Sequence, residues 1–346
     1  MRSCVLALSD AADKAVRWRR PSREHSRAAV YGQDASTRAS VAALLAEADV
    51  DAVVIATPHH LLAPSALAAL RARKHLLAEK PIALNASEAA EVAGEVARSG
   101  ATYMAGYSLC FSMGRHMRDL IAAGAGGDVR SITGVFATGP FDDDWSAYPE
   151  TGGGPLLYVG CHLIDLALWL LADDPVEVFA DVGRRADTGA DDTTTLQIRF
   201  AKGARAQFLV TQAASTVFYG LGLHGRAGSI QLRGHNLLQV EIEVSSAALR
   251  AYAEPTVIQP GVRRDNITAM LVPELEEFAA AVRERRLPTI IVEDGWRVLR
   301  VLARSWSPGG RAGRSCWANR TPRNRYTAQA ARNRGGALAA SALCSG

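Results

Sequence analysis

Two short runs in this chain carry side chains able to donate hydrogen bonds and to move protons. The first is Ala78-Glu79-Lys80-Pro81, a charged pair at the end of an apolar run. The second is Gly152-Gly153-Gly154-Pro155-Leu156-Leu157-Tyr158-Val159-Gly160-Cys161-His162-Leu163-Ile164-Asp165-Leu166. A lysine ammonium is a charged hydrogen-bond donor on a flexible stem. An imidazole takes or gives a proton near neutral pH, and a nearby carboxylate can orient it. His162 and Asp165 stand three residues apart, so a helix would present them on one face. Taken alone, His162 reads more readily as a satisfied core histidine and Asp165 as a helix-surface charge.

The elements around these runs decide whether they meet. Residues 52–56, 65–73 and 75–78 read as strand, helix and strand. Glu79 and Lys80 then fall at the carboxyl end of a parallel strand, where open α/β sheets bind ligands. Pro81 turns the chain away, because it fixes its own φ and disfavours helix before it. Residues 4–9 read as an earlier strand ending at Asp10, followed by a basic helical stretch interrupted by Pro21. Ser36 or Thr37 would cap a helix over 41–47, and a helix at 86–99 with a strand at 102–106 completes the series. Together these predict an α/β fold with a Rossmann-like doubly wound parallel sheet over residues 1–110.

After about residue 128 the pattern changes. Strands are expected at 131–138, 176–182, 193–200, 204–211, 217–224 and 229–232, with helices at 160–171 and 273–283 and from Asp294. Residues 111–304 are therefore read as an α+β domain with a mostly antiparallel open sheet, its last helix packing back on the first domain. Residues 305–346, rich in Arg, Gly, Ala and Asn without apolar period, are read as a disordered low-complexity basic tail.

Composition narrows the function classes. A chain of 346 residues suits two domains, and 48% apolar residues supports sizeable cores. No stretch approaches the roughly 20 apolar residues of a membrane span, and the first apolar run is short for a signal peptide. The five cysteines are scattered without metal-ligand spacing, which points to a reducing cytoplasm and no metal site. Cys161 reads as a small buried residue. The net charge of +4 comes from the end of the chain, where ten arginines and no acidic residue follow Asp294. Residues 1–294 hold 29 basic and 35 acidic residues, a net charge of −6, so nothing suggests a nucleic-acid surface or a membrane partner.

Strand–Glu79-Lys80-Pro81, followed by Gly152-Gly153-Gly154 and Gly160-x-His162-x-x-Asp165, resembles the glucose–fructose oxidoreductase / inositol dehydrogenase (Gfo/Idh/MocA) family. The likeness runs over about residues 5–304 and includes Asp49-Val50-Asp51-Ala52-Val53-Val54-Ile55-Ala56-Thr57-Pro58 and Glu293-Asp294-Gly295. It implies an oxidoreductase with a Rossmann domain for NAD or NADP and a second domain whose sheet mediates homo-oligomers. Lys80 would hydrogen-bond the substrate hydroxyl, and His162, with Asp165, would serve in acid/base transfer. The substrate would be a sugar, inositol or related polyol that passes hydride to nicotinamide C4. Thr57, Pro58, Glu79 and Lys80 match cofactor-lining positions, and Asp10 matches the ribose-binding acid that favours NAD over NADP. Tyr158 stands where the family often has an aspartate and is a further substrate ligand beside Lys80 and His162. His59, Tyr107 and Trp145 read as site liners or as packing.

The resemblance also sets expectations at the ends. The family's first strand and Gly-x-Gly-x-x-Gly turn have no counterpart before Cys4, and the arginine-rich tail replaces the family's C-terminal end. The chain would then be an N-terminally truncated member, and the alternative reading is a catalytically impaired remnant acting at most as an interaction module.

Overall fold

Short apolar runs bounded by turn residues build two sheets. In a computed structural model, residues 45–46, 50–140, 145–235, 239–259 and 271–305 are described, together with the backbone of three short strands nearer the start. The first sheet contains β1 (Cys4–Leu8), β2 (Ala15–Trp18), β3 (Ser36–Arg38), β4 (Ala52–Ala56), β5 (His75–Glu79) and β6 (Tyr103–Gly106), in the order β3-β2-β1-β4-β5-β6. β1, β4, β5 and β6 are parallel neighbours. β2 and β3 extend the sheet antiparallel, β2 pairing with β1 and β3 with β2. This corrects two expectations. Ala15–Trp18 lies within the stretch read as basic helix, and Ser36 and Thr37 are strand residues rather than helix caps. Val16, Trp18 and Thr37 are β-branched or aromatic types, and pairing within the sheet overrides a weak local helix preference.

The parallel strands are joined by helices, as parallel pairs require. Helix α1 (His59–Arg71) connects β4 to β5, and α2 (Ala86–Ser99) connects β5 to β6. α1 starts earlier than expected and takes Pro64 inside it. The two helices pack on each other, and β4 is buried along nearly its whole length, as a covered parallel strand should be.

The second sheet has the order β14-β13-β12-β11-β7-β10-β9-β8. Its strands are β7 (Val129–Ala137), β8 (Pro175–Arg184), β9 (Asp191–Phe200), β10 (Arg205–Thr211), β11 (Phe218–Gly225), β12 (Gly228–His235), β13 (Val240–Ser246) and β14 (Thr256–Ile258). Every pairing is antiparallel except β7 with β10. The sequence reading missed β13 and β14, although Val240-Glu241-Ile242-Glu243-Val244 alternates with period two. One face is apolar and covered, through Leu196, Ile198, Ala206, Phe208 and Val210, while Phe179 and Leu209 stay exposed on the other.

Four more helices lie among the described residues: α3 (Arg115–Ala122), α4 (Cys161–Leu171), α5 (Val272–Glu284) and α6 (Val292–Ser305). Residues 161–170 of α4 are all buried, which its nearly all-apolar sequence permits. π-helical turns, Cys110–Gly114 and Leu156–Gly160, lead into α3 and α4. α6 joins the two halves by packing on α2 and β6 and also on α4 and β8. Gly295 makes the close approach possible, because a Cβ there would lie 2.8 Å from the Ile82 side chain, just beyond Lys80. Asp294 ties down the start of α6 by accepting the Ile291 N–H at 3.0 Å.

Candidate active site

β5 runs through buried Leu76, Leu77 and Ala78 and brings Glu79 and Lys80, both half-buried, to the carboxyl edge of the first sheet. Lys80 reaches across to the π-helical turn before α4. Its Nζ donates to the Tyr158 carbonyl at 2.6 Å and sits 4.4 Å from the centroid of the Tyr158 ring. Glu79 accepts the Lys80 backbone N–H at 3.2 Å. Burial pushes the Glu79 carboxyl above the usual carboxylate range, and the Lys80 charge opposes that rise.

The glycine run is held from the other side by the start of α1. His59 Nδ1–H donates to the Gly152 carbonyl at 2.6 Å, which fixes the tautomer and leaves Nε2 as the lone-pair nitrogen. The His60 N–H donates to Thr151 O at 3.2 Å, and Thr151 Oγ1–H closes the turn on Trp145 O. The buried His59 ring meets Trp145 edge-on at 4.8 Å and Tyr158 at 5.2 Å. Burial, helped by Lys80, pulls its pKa down to about 3, so this imidazole is neutral. Gly154 shows why the run needs glycine. Its φ is +79°, and a Cβ there would overlap Asp191 Oδ1, whose carboxylate accepts the Leu156 N–H at 2.8 Å.

His162 lies on the first turn of α4, between the face of Phe136 at 6.4 Å and the edge of Tyr107 at 6.0 Å. Its Nδ1 has no protein partner, and burial with the nearby Lys80 charge holds its pKa well below 6.5. Asp165 does not orient it. The Asp165 carboxyl oxygen accepts from Cys110 Sγ–H at 2.9 Å, on the first π-helical turn, and the group is buried rather than on the surface. A shared helix face was satisfied by a tertiary neighbour instead of by the residue one turn away. Burial raises Asp165 to about 8, Asp294 adds to the rise, and the Cys110 thiol and Arg297 oppose it. Cys161 is buried and its thiol is pushed up to about 12 by burial.

The structure therefore brings Lys80, Tyr158 and His59 into direct contact, with Trp145 beside them and His162 within reach of the Lys80 field. Thr57 and Pro58 sit at the carboxyl end of β4, where Thr57 Oγ1 and His60 Nδ1 are buried without a protein partner. Asp10 lies outside the described residues, as do residues 306–346 of the expected tail. Sequence reasoning missed Glu274, a buried carboxyl on the first turn of α5. Its Oε1 has no partner, and burial with the nearby Glu79 raises it to about 8. An acidic residue in a first turn is ordinary and carries no sequence signal. The described residues include no group of His, Cys, Asp and Glu side chains placed to hold a metal ion. A cavity of about 520 Å³ lies elsewhere, beside the amino ends of β5 and β6, and none of the candidate residues lines it.

Asp165 gives a stability prediction with a defined sign. Its carboxyl keeps its proton in the folded state up to about pH 8 but loses it near 3.8 when unfolded. The stability it contributes is thus present at low pH and is lost as pH rises through that window, by up to about 1.4 kcal/mol per pH unit. Asp165→Asn has no proton to lose. Urea unfolding at pH 5 and pH 8 is expected to show the variant gaining on the native chain as pH rises; parallel curves would show that the carboxyl is ionised in the fold.

Comparison with known proteins fits this geometry. Residues 8–107 match the model described as the oxidoreductase family, NAD-binding Rossmann fold, and residues 115–231 match the GFO/IDH/MocA C-terminal domain. A 1,5-anhydro-D-fructose reductase from Ensifer adhaerens is 34% identical over 209 residues, 58% of this chain and 61% of that protein. A trans-1,2-dihydrobenzene-1,2-diol dehydrogenase from Oryctolagus cuniculus is 31% identical over 166 residues, 48% of this chain and 50% of that protein. The chain thus spans 50–61% of the length of these two curated relatives. Among solved structures, levoglucosan dehydrogenase in complex with NADH and levoglucosan superposes with a TM-score of 0.69 at 22% identity, covering 76% of this chain and 80% of that one. GenD2 from gentamicin A biosynthesis, in complex with NAD, gives a TM-score of 0.66 at 25% identity, covering 77% and 78%.

Proposed function

Because the chain belongs to the Gfo/Idh/MocA oxidoreductase family, we propose that it transfers a hydride between a nicotinamide cofactor and a hydroxyl of a sugar, inositol or related polyol. The observation that carries this reading is the Lys80 ammonium, fixed by the Tyr158 carbonyl at the carboxyl edge of the first sheet, beside a neutral His162. An ammonium has three protons, and one is engaged by Tyr158. The others can be offered to a substrate oxygen, where they favour the alkoxide character that develops as the C–H bond breaks. His162, uncharged at neutral pH, can accept the hydroxyl proton.

The residues present fit a nicotinamide cofactor. The buried, unpartnered Thr57 Oγ1 and His60 Nδ1 at the carboxyl edge support a polar ligand there, and α1 has Pro58 at its N-cap position with no side-chain cap. Thr57, Pro58, Glu79 and Lys80 would line it, and the cofactor would supply the hydride acceptor. NAD rather than NADP is the proposed form, on the strength of Asp10 in the sequence. The named substrates of the two curated relatives are a sugar derivative and a diol, which supports a polyol here.

We further infer a homo-oligomer formed through the open face of the second sheet, where Phe179 and Leu209 are exposed. No helix among the described residues is long and apolar enough to cross a membrane. A cytoplasmic setting is proposed from the cysteine pattern. Fluorescence titration of the full chain with NADH, followed by NAD⁺ reduction across a panel of sugars, inositols and hexitols, tests the function. Saturable NADH binding and turnover of at least one polyol are expected. Binding of neither NADH nor NADPH would overturn the enzyme reading in favour of an interaction module.

A further inference from the structure

Under the oxidoreductase reading, on which this proposal rests, Lys80 and His162 must meet one hydroxyl from different halves of the chain. One short segment joins them. The π-helical turn Leu156–Gly160 offers the Tyr158 carbonyl to Lys80 Nζ at 2.6 Å and leads directly into α4, whose first turn carries His162. A shift of this turn therefore moves the seat of the lysine and the imidazole together. The turn's own start does little to fix it. Pro155, at its N-cap position, has no N–H and makes no side-chain cap bond, so the Leu156 N–H is the first orphan donor of the helical run.

The missing cap comes from the second sheet. Asp191, the first residue of β9 and 2% exposed, accepts the Leu156 N–H on Oδ2 at 2.8 Å, from 35 residues along the chain. Its Oδ1 occupies the space that a Cβ on Gly154 would need, so the carboxyl is wedged against the glycine run as well as bonded beyond it. The start of β9 is pinned on both sides, the Arg185 N–H donating to Ala190 O and the Gln212 N–H to Asp192 O, each at 2.8 Å. At the far end of the turn, Gly160 lies against Val210 of β10, where a Cβ would come within 3.0 Å. The turn is thus seated on the sheet at both ends, with the Tyr158 carbonyl between them. Burial raises the Asp191 carboxyl to about 7, opposed by the Leu156 N–H, its own backbone N–H and Arg184, while Asp192 adds to the rise. Both protonation states keep an oxygen able to accept from Leu156.

We propose that Asp191 is a positioning residue for hydride transfer: capping the π-helical turn from β9, it holds the Tyr158 carbonyl, and through it Lys80, in register with His162. It acts through the turn rather than on the reacting atoms. Donor and base must align on the same hydroxyl, and a misplacement of about 1 Å in such a pair costs about 10²-fold in rate.

The test compares Asp191→Ala, which removes the acceptor, with Asp191→Asn, whose amide oxygen can still take the Leu156 N–H. In steady-state kinetics of the full chain with NAD⁺ and myo-inositol or a hexitol, Asp191→Ala is expected to lower kcat about 30-fold while each KM stays within about threefold. Asp191→Asn should keep both parameters within about threefold of native. Amide hydrogen exchange read by mass spectrometry should be at least about tenfold faster over residues 156–162 in Asp191→Ala, native in Asp191→Asn, and unchanged in β10 of both. Asp191→Leu, which keeps the volume without an acceptor, takes the place of Asp191→Ala if that variant does not fold, with the same expectations. An unchanged kcat without the acceptor, a loss that falls on KM instead, or an equal loss in a folded Asp191→Asn overturns the proposal. If the native chain turns over no polyol, the oxidoreductase reading fails, and exchange decides the cap separately. Faster exchange over 156–162 without the acceptor supports the cap, and native exchange there overturns it.

Discussion

Lys80→Met is expected to lower kcat/KM for polyol oxidation by about 10³-fold, with the fold retained. Methionine matches the lysine stem in length but removes the charge and all three donors. Loss of a single preorganised donor to a developing oxyanion costs about 10²–10³ in rate. Here the donor is also a full charge, next to groups that burial has already desolvated. The Tyr158 carbonyl loses its 2.6 Å partner, a loss of about 1.5–3 kcal/mol for a charge-assisted bond if no water replaces it. A second readout separates electrostatics from misfolding. Lys80 lowers the pKa of both His59 and His162, so its removal must let both imidazoles rise toward 6.5. The acid limb of the residual activity should therefore move to higher pH in Lys80→Met. Lys80→Arg should not restore the rate, since a planar guanidinium cannot take the place of a compact point charge seated on Tyr158. Native-like kinetics in Lys80→Met would remove the lysine from the chemistry.

Where local chemistry specified an element, the sequence was enough to place it. Helix α2 begins and ends where expected because Asn85 Oδ1 accepts the N–H groups of Ser87 and Glu88 at 3.0 Å. Glu88 returns a bond to the Leu84 N–H, and Gly100 closes the helix with φ +68°. β4 is an unbroken apolar run, so its bounds matched too. The strands β2 and β3 were misread because their pairing partners, not their own pattern, decide them. In the site, Lys80 and His162 were legible as types at motif spacing. Three features depend on groups distant in sequence. The acceptor for Lys80 is the Tyr158 backbone carbonyl, which no side-chain motif encodes. The donor to Asp165 comes from Cys110, on a π-helical turn with no clear sequence signature. The choice between packing and lining for His59 and Trp145 turns on a loop fold that only coordinates reveal. Tyr107 resolves toward packing, buried with its hydroxyl unpartnered.

His162→Asn is the complementary test, with an expected loss of about 10²–10⁴-fold in kcat/KM, the usual worth of a positioned acid or base. The surroundings argue for a base that works without a counter-ion. Phe136 and Tyr107 fix the ring, Nδ1 has no protein partner, and Asp165 is engaged by Cys110 and protonated up to about pH 8. An imidazolium formed here gains little from a neighbouring carboxylate, so it should pass its proton on rather than hold it. Two results follow. The native acid limb should lie below pH 6.5, because the folded imidazole stays neutral until well under that value, and it should vanish in His162→Asn. Asp165→Asn should change kcat/KM by less than about tenfold, far less than the loss at His162, because the amide oxygen can still accept the Cys110 thiol. Equal losses at both positions, with matching pH profiles, would instead mean that Asp165 and His162 act as one unit during turnover.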